Sequence, residues 1–177
     1  MGRRYKKDEK SGSGCSTKPW IVRNYLKPGD IGSVTQLHGI MYAKEYGYDQ
    51  TFEAYVAKGL VEFVHSFNPE NERFWLVEMT GQIIGFIAVV NHLKQEAQLR
   101  WFFVHPDIRG HGIGKYLLTE AIKFCAQQKY AVISLWTTSE LRTAHHLYIR
   151  AGFTKTEVKN HEIWGKRVTE ERYELHL

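Results

Sequence analysis

The chain has 177 residues and a formal net charge of +5, with 43% hydrophobic, 14% aromatic and two cysteine residues. A chain this long buries roughly 70% of its unfolded surface, so the composition excludes general disorder and a need for disulfide or metal staples. It contains neither a signal peptide nor an apolar run of about 18 residues, and we therefore expect a cytoplasmic protein with no membrane partner.

The first 18 residues differ in composition from the rest of the chain. MGRRYKKDEK is strongly basic, and the SGSG that follows is typical of a flexible linker. We therefore predict a flexible basic tail at 1–18 and a single domain at 19–177. The charge is concentrated in this tail and no helix carries a basic stripe, which disfavours a nucleic-acid partner.

The front of the domain begins with a strand and two helices. WIVRNYL alternates apolar and polar residues, which predicts a strand at Trp20–Leu26. Asp30 is a candidate N-cap for a helix that runs to Tyr46, and a second helix is predicted near 51–67. Three strands follow, the first two as an antiparallel hairpin: Phe74–Met79, Ile83–Val90 and Ala97–Val104.

The second half alternates helices with strands. Apolar residues at helical spacing predict a helix from Ile113 to about Gln128. A shorter helix is predicted at Leu141–Arg150, with Gly152 as its C-cap. The remaining predicted elements are the strand Ala131–Trp136 and the terminal strands Thr154–Lys159 and Glu171–Leu177. The order β-α-α-β-β-β-α-β-α-β-β predicts an α/β fold, a mixed sheet covered by helices.

The glycine-rich turn RGHGIG lies between a predicted strand and a predicted helix. A P-loop would need glycine at position 109 and a serine or threonine at 116, but the chain has Arg109 and Tyr116. A dinucleotide turn would need a third glycine at 115, where Lys115 stands. Free N–H groups at a helix N-terminus still favour an anion, and Arg109 and Lys115 add positive charge. The turn therefore predicts an anion site.

The stretch VHPDIRGHGIGK resembles the acetyl-CoA motif R/Q-x-x-G-x-G/A of the GNAT N-acetyltransferase family, with Arg109, Gly112 and Gly114 at the defined positions. A second family signature, A-x-x-L-Y-x-x-x-G-F, is matched by Ala144, Leu147, Tyr148, Gly152 and Phe153. The front half resembles, more narrowly, the acetyltransferase domains often fused to MarR-type regulators. The resemblance implies the GNAT acyl-CoA N-acyltransferase fold and acetyl-CoA-dependent transfer to a primary amine of a small molecule or peptide.

The resemblance also implies which residues bind acetyl-CoA. Backbone groups of the turn would surround the pyrophosphate, and the end of the preceding strand would line the pantetheine. Many relatives have an asparagine where this chain has Leu141, so Thr137, Thr138 or Ser139 would supply that contact. The expected cofactor-binding residues are Phe102, Phe103, Val104, Arg109, Gly110, His111, Gly112, Ile113, Gly114, Lys115, Thr138 and Tyr148.

Tyr148 is the expected acid, because a phenol titrates near pH 10, close enough to an alkyl thiol to protonate a leaving thiolate. The base is left open. Many relatives have a glutamate at the position of Gln98, which cannot accept a proton at neutral pH. The alternatives are a water chain without a dedicated base and the side chains of Glu96, Glu45, His38 and His161.

The acceptor site is predicted at two places. Tyr42, Glu45 and Tyr46 lie near the junction of the first two helices, and His161 and Trp164 lie in the loop before the last strand. No metal is expected, since no cysteine or carboxylate pattern completes a zinc set among the nine histidines. A homodimer is left open. The alternative function is a non-catalytic acyl-CoA-binding sensor or interaction module on the same fold.

Overall fold

A computed structural model describes residues 19–177 of the chain, and the predicted tail at 1–18 lies outside the described residues. Within this range, strands form at Ile21–Arg23 (β1), Arg73–Met79 (β2), Gln82–Leu93 (β3), Glu96–Val104 (β4), Val132–Thr138 (β5), Thr154–Ile163 (β6) and Lys166–His176 (β7). The helices are Asp30–Tyr46 (α1), Gln50–Ser66 (α2), Ile113–Gln127 (α3) and Arg142–Arg150 (α4), with a short 3₁₀ turn at Pro106–Ile108. The predicted element order and the mixed α/β class are confirmed.

The strands form one sheet in the order β1-β2-β3-β4-β5-β7-β6, in which only the β4–β5 pair is parallel. Neighbouring residues of β2 belong to two different hydrophobic clusters: Trp75 packs with α3 and α4, and Leu76 packs with α1 and α2. Since successive side chains of a strand point to opposite faces, the two helix pairs cover opposite faces of the sheet. Each face therefore has its own apolar core.

A bulge interrupts β4 near its middle. Ala88 of β3 pairs with Arg100 and Phe86 pairs with Phe103, so three steps along β4 match two along β3. Trp101 has a φ of 48°, a conformation that non-glycine residues rarely adopt. The extra residue reverses the phase of the strand, so that Phe102 packs against the α3–α4 core while Trp101 and Phe103 belong to the α1–α2 core.

Past this bulge, β4 and β5 separate. Their parallel pairing covers Glu96–Leu99 with Val132–Leu135 and ends there. The N–H of His105 donates to the Ile84 carbonyl at 2.8 Å, and Val104 lies opposite the next residue of β3. In an antiparallel pair the hydrogen-bonding direction alternates, so the N–H and C=O of Val104 point away from β3. They face the gap that opens between β4 and β5.

The structure corrects the predictions for the last strands. β6 extends to Ile163 and β7 begins at Lys166, so the predicted loop is reduced to a tight hairpin turn. Trp164 lies in this turn before the last strand, as predicted, whereas the prediction for His161 is wrong, because it lies in β6. β6 is an edge strand whose side chains are mostly exposed on both faces. Such a strand lacks the apolar alternation by which strands are identified in a sequence.

The beginning of the domain also differs from its prediction. The first strand covers only Ile21–Arg23, and Gly29, with a φ of 96°, is the N-cap of α1 in place of Asp30. The Asp30 carboxylate instead accepts two hydrogen bonds from the buried guanidinium of Arg23, at 2.6 and 2.7 Å. An acid next to a turn resembles a helix cap in sequence, but the arginine seven residues earlier determines its role.

Candidate active site

The glycine turn leaves a row of backbone donors unused. Gly110 and Gly112 adopt left-handed φ angles of 84° and 81°, and the N–H of Tyr116 closes the first turn of α3 on the Gly112 carbonyl at 2.9 Å. Within residues 19–177, none of the six backbone N–H groups from Gly110 to Lys115 has an acceptor. Such a row at the start of a helix is suited to bind a phosphate group.

Side chains of the turn hold it in place. Arg109 donates from Nε to the Val104 carbonyl and from Nη1 to Oε2 of Glu45, each at 3.0 Å. The Nδ1–H of His111 lies within hydrogen-bond distance of two carbonyls of the turn, at 3.1 and 3.2 Å. These contacts fix the turn to the end of β4 and to α1. Glu45, one of the predicted bases, is therefore paired with Arg109.

Gly114 permits a close approach between α3, β4 and α4. A Cβ atom at this position would lie 3.4 Å from Leu147 of α4, 3.6 Å from Phe102 and 3.7 Å from Val104. The two sequence signatures therefore meet in space, since Leu147 belongs to the second and Gly114 to the first. This packing brings α4 next to the beginning of α3.

Tyr148, on α4, is 5% exposed and packs among the rings of Phe102, Phe153 and Tyr173, with centroids 5.9 to 6.0 Å away. Its hydroxyl makes no hydrogen bond to any other part of residues 19–177. Burial raises the pKa of Tyr148 above its ordinary value. The phenol is therefore protonated at neutral pH and has a proton to donate.

A cavity of about 400 Å³ lies at the gap between β4 and β5. Its walls come from α1, α2, α4, strands β4 to β7 and the β6–β7 turn: His38, Tyr42, Tyr48, Phe52, Tyr55, Val56, Gln98, Leu99, Arg100, Trp101, Phe102, Leu135, Trp136, Thr137, Thr138, Leu141, Tyr148, Lys159, His161, Trp164 and Glu170. These residues include members of both apolar cores. The cavity therefore connects the two faces of the sheet through the gap.

One wall of the cavity is an aromatic cluster, in which each ring centroid lies 4.6 to 5.9 Å from that of a neighbouring member. Its members are Tyr42, Tyr48, Phe52, Tyr55 and Trp164. Of the predicted acceptor-wall residues, Tyr42, His161 and Trp164 line the cavity, whereas Glu45 and Tyr46 do not. Sequence analysis missed Tyr48, whose hydroxyl donates to Thr138 or Glu140 at 3.1 Å, because only the fold brings these residues together.

The β6–β7 turn is docked onto the junction of α1 and α2. The backbone N–H of Asp49 donates to the Trp164 carbonyl at 3.1 Å, and the Lys166 ammonium donates to the Tyr46 carbonyl at 2.9 Å. Gly165 has a φ of 79°, and a Cβ atom there would lie 2.8 Å from Oδ2 of Asp49. The turn therefore needs glycine at this position, and it holds Trp164 over the cavity.

The predicted bases have different environments. Glu96 does not line the cavity and pairs with Arg172 at 2.9 Å. His38 lines the cavity, but burial lowers its pKa to about 4, and its Nδ1–H donates to the Val34 carbonyl at 3.0 Å. Gln98 also lines the cavity and carries no basic group. Glu96 is therefore paired with an arginine outside the cavity lining, and the low pKa of His38 makes it a weak proton acceptor.

Unsatisfied polar atoms concentrate around this cavity. Within residues 19–177, four buried side-chain atoms have no hydrogen-bond partner: Asn71 Oδ1, Trp101 Nε1, Thr137 Oγ1 and His161 Nε2. Three of these four belong to residues that line the cavity. Buried polar groups are normally hydrogen-bonded, so their clustering here indicates a site for a polar ligand.

The described part of the chain contains neither a metal-binding cluster nor a membrane-spanning helix. No group of three or more His, Cys, Asp or Glu side chains in residues 19–177 is arranged to hold a metal ion. None of the helices in this range has the length and apolar character needed to cross a membrane.

Sequence comparisons identify related proteins. A profile described as the acetyltransferase (GNAT) family matches residues 37–153, which is 117 of the 177 residues. An uncharacterized N-acetyltransferase of Methanocaldococcus jannaschii is 30% identical over 148 residues, covering 80% of this chain and 63% of that protein. N-acetylaspartate synthetase of Danio rerio is 32% identical over 88 residues, covering 49% of this chain and 31% of that protein. The chain thus spans less than two-thirds of the length of these relatives.

Solved structures share the fold at low sequence identity. A ribosomal-protein-alanine N-acetyltransferase from Brucella melitensis superposes with a TM-score of 0.71 at 16% identity, covering 89% of this chain and 99% of that one. An acetyltransferase from Salmonella typhimurium, solved with its cofactor acetyl-CoA, superposes with a TM-score of 0.71 at 15% identity, covering 90% of this chain and 95% of that one. At these identities the likeness establishes the fold alone.

Proposed function

Since this chain belongs to the acetyltransferase (GNAT) family, we propose that it transfers the acetyl group of acetyl-CoA to a primary amine of a small molecule or peptide. One observation carries the proposal. A cavity runs through the gap between β4 and β5, with Tyr148 and an aromatic cluster among its walls. A donor bound along the gap and an acceptor bound in the cavity would meet there.

The donor would be held mainly by backbone groups. The six free N–H groups from Gly110 to Lys115 suit the pyrophosphate, and the outward N–H of Val104 suits the pantetheine, while the Val104 C=O accepts from Nε of Arg109. The Thr138 hydroxyl lines the cavity, accepts a hydrogen bond from Tyr48 and keeps its own proton for a side-chain contact. Acetyl-CoA would supply the thioester, and the residues present fit it.

The transfer needs a polarised carbonyl and a protonated leaving group. The amine nitrogen attacks the thioester carbon, the carbon–sulfur bond breaks, and the sulfur leaves as a thiolate. The Val104 N–H is oriented to stabilise negative charge on the carbonyl oxygen. Tyr148 donates its phenolic proton to the sulfur, and the proton that the nitrogen releases as the amide forms restores the phenol. Burial raises the pKa of Tyr148 and so keeps its hydroxyl protonated until the thiolate forms.

The relatives suggest which amines to test. One is named an N-acetylaspartate synthetase, and a structural neighbour is named a ribosomal-protein-alanine N-acetyltransferase. Amino acids and protein N-termini are therefore the first acceptors to screen, and the aromatic cluster offers ring faces to an ammonium group. The front half also resembles acetyltransferase domains fused to MarR-type regulators, a likeness that does not identify the acceptor.

The donor site can be tested with a matched pair of glycine variants. Gly112 and Gly29 are both left-handed N-cap residues with no atom near the position of an added Cβ. Gly112→Val and Gly29→Val should each lose about 1 to 2 kcal/mol of stability, because the backbone strain is the same. Only Gly112→Val should lose acetyl-CoA binding by calorimetry. Equal binding by both variants would show that the turn does not hold the pyrophosphate.

The chemistry is tested by measuring thiol release across amines, amino acids and peptides. Tyr148→Phe should lower kcat about 100-fold and leave the acetyl-CoA Kd unchanged, as expected for loss of an acid. An unaltered rate would exclude Tyr148 as the acid. If the wild-type protein binds acetyl-CoA but releases thiol with no acceptor, the sensor function is correct and the transferase proposal fails.

A further inference from the structure

Glu170 is the one carboxylate among the cavity-lining residues of the described chain. It lies on β7, opposite Thr138 of β5 on one side and opposite Lys159 of β6 on the other. Directly paired residues share a face of a sheet, so Glu170 shares the cavity face with both. The sequence contains no local signal for this position, which is 22 residues from Tyr148 and lies within a polar strand.

His161 is the nearest ionisable neighbour of this carboxylate. Its Nε2 lies 3.2 Å from Oε2 of Glu170, within ion-pair distance, yet it is not aligned for a hydrogen bond. The Glu170 carboxylate accepts no hydrogen bond from elsewhere in residues 19–177. Both groups therefore have unused hydrogen-bonding capacity at the edge of the cavity.

The electrostatic surroundings favour proton uptake by Glu170. Its burial raises the pKa of the carboxyl group, while the charges of His161 and Lys159 act in the opposite direction. Among the described residues, His161 and Lys159 are the charged groups that face the Glu170 carboxylate. Lys159 is also paired with Glu157 at 2.9 Å and lies over the Trp136 ring at 4.6 Å. A carboxylate with a raised pKa is a better proton acceptor than an ordinary surface glutamate.

The other carboxylates considered as bases are neutralised by arginines. Glu45 pairs with Arg109 on the turn, and Glu96 pairs with Arg172 beyond the cavity wall. Among residues 19–177 Glu170 has no arginine partner, and the side chain paired with it is His161. Position and charge thus single out Glu170 within the cavity.

We propose that Glu170 is the proton acceptor for the acceptor amine, with His161 beside it as a positioning residue whose charge holds the carboxylate. This inference rests on the proposed function. The ammonium N–H bond breaks and an O–H bond forms at the Glu170 carboxylate, which leaves a neutral amine with a free electron pair. The proton then moves from the Glu170 carboxyl group to water at the edge of the cavity, which restores the carboxylate.

Kinetics of matched variants test the role of Glu170. Glu170→Gln should lower kcat/KM for the best amine at pH 7 about 100-fold, with an unchanged acetyl-CoA Kd and melting temperature. Glu174→Gln, four residues along the same face of β7 and outside the cavity lining, should retain the wild-type rate. Because a neutral amine needs no base, the deficit of Glu170→Gln should shrink as pH approaches the pKa of the acceptor.

A second readout does not depend on turnover. The carboxyl ¹³C signal of Glu170 in the free protein, assigned by its absence in Glu170→Gln, should titrate above the ordinary glutamate pKa. His161→Gln should raise that midpoint further, because the positive charge of His161 lowers it. The lower limb of the kcat/KM profile should shift in the same direction. Midpoints that do not respond to His161→Gln would exclude the coupling.

The outcomes separate this inference from the proposed function. If the wild-type protein acetylates an amine and Glu170→Gln does so equally well at every pH, Glu170 is not the base and the transferase function stands. If no amine releases thiol with the wild-type protein, both fail. Should Glu170→Gln fold poorly, Glu170→Asp is the substitute, and it must keep part of the wild-type rate. A wild-type pH profile in His161→Gln would contradict the role given to His161.

Discussion

His38 should make the protein sensitive to mild acid. The side chain is 3% exposed and lies among the rings of Tyr42, Phe52, Phe86 and Phe103, at centroid distances of 5.1 to 6.2 Å. Within residues 19–177 no carboxylate pairs with His38, and burial lowers the pKa of His38 to about 4 from a usual value near 6.5. A protonated imidazole would leave a charge without compensation in the α1–α2 core.

The sign follows from the order in which the two states take up a proton. The folded-state pKa of His38 lies below the unfolded value, so the unfolded chain binds the proton first as pH falls. The stability that depends on neutral His38 is therefore complete above about pH 6.5 and is lost progressively as pH falls toward 4. With 1.4 kcal/mol per pKa unit, the loss between pH 7 and pH 5 is about 2 kcal/mol.

Guanidinium unfolding at pH 7 and pH 5 measures this loss, with His38→Phe as the control. Phenylalanine has a similar shape, suits the surrounding rings and cannot ionise, so its variant should keep about 2 kcal/mol more stability on acidification than the wild type. The eight other histidines are the same in both proteins, so their contributions cancel in the difference. Equal losses in the two proteins would refute the argument that buried His38 is held neutral.

Three further predictions concern stability and ligand binding. Asp30→Ala should cost about 3 to 5 kcal/mol in denaturant unfolding, because it leaves the buried guanidinium of Arg23 with Glu78 as its one remaining carboxylate; a loss below about 1 kcal/mol would contradict this. Gly165→Ala should cost about 1 to 3 kcal/mol and raise KM for the amine more than for acetyl-CoA, because its new methyl group meets Asp49; unchanged kinetics would show that the turn does not shape the cavity. Acetyl-CoA at 100 times its Kd should add about 2.7 kcal/mol and raise Tm by roughly 5 to 10 °C, whereas the absence of a shift at millimolar ligand would exclude the donor.

Much of the fold follows from local patterns in the sequence. The apolar spacing of the helices and buried strands is a property of short segments, and it predicted the element order that the structure confirms. The glycine turn was also identifiable, since glycines before a helix predict free N–H groups wherever the turn lies in the fold. The exposed strand β6 and the pairing of Asp30 with Arg23 were not identifiable, because neither leaves an apolar pattern within its own segment.

The acceptor side of the candidate site depended on tertiary structure. The bulge at Trp101 reverses the phase of β4, and the separation of β4 from β5 opens the cavity; both result from pairing between strands. Tyr48 meets Thr138 across 90 residues of sequence, and Glu170 reaches the cavity because β7 lies between β5 and β6. The sequence by itself determined the elements and the proposed donor turn, because spacing and glycine content act over a few residues. Only the fold decided which carboxylate and which aromatic rings line the cavity, because those contacts join strands and helices far apart in the chain.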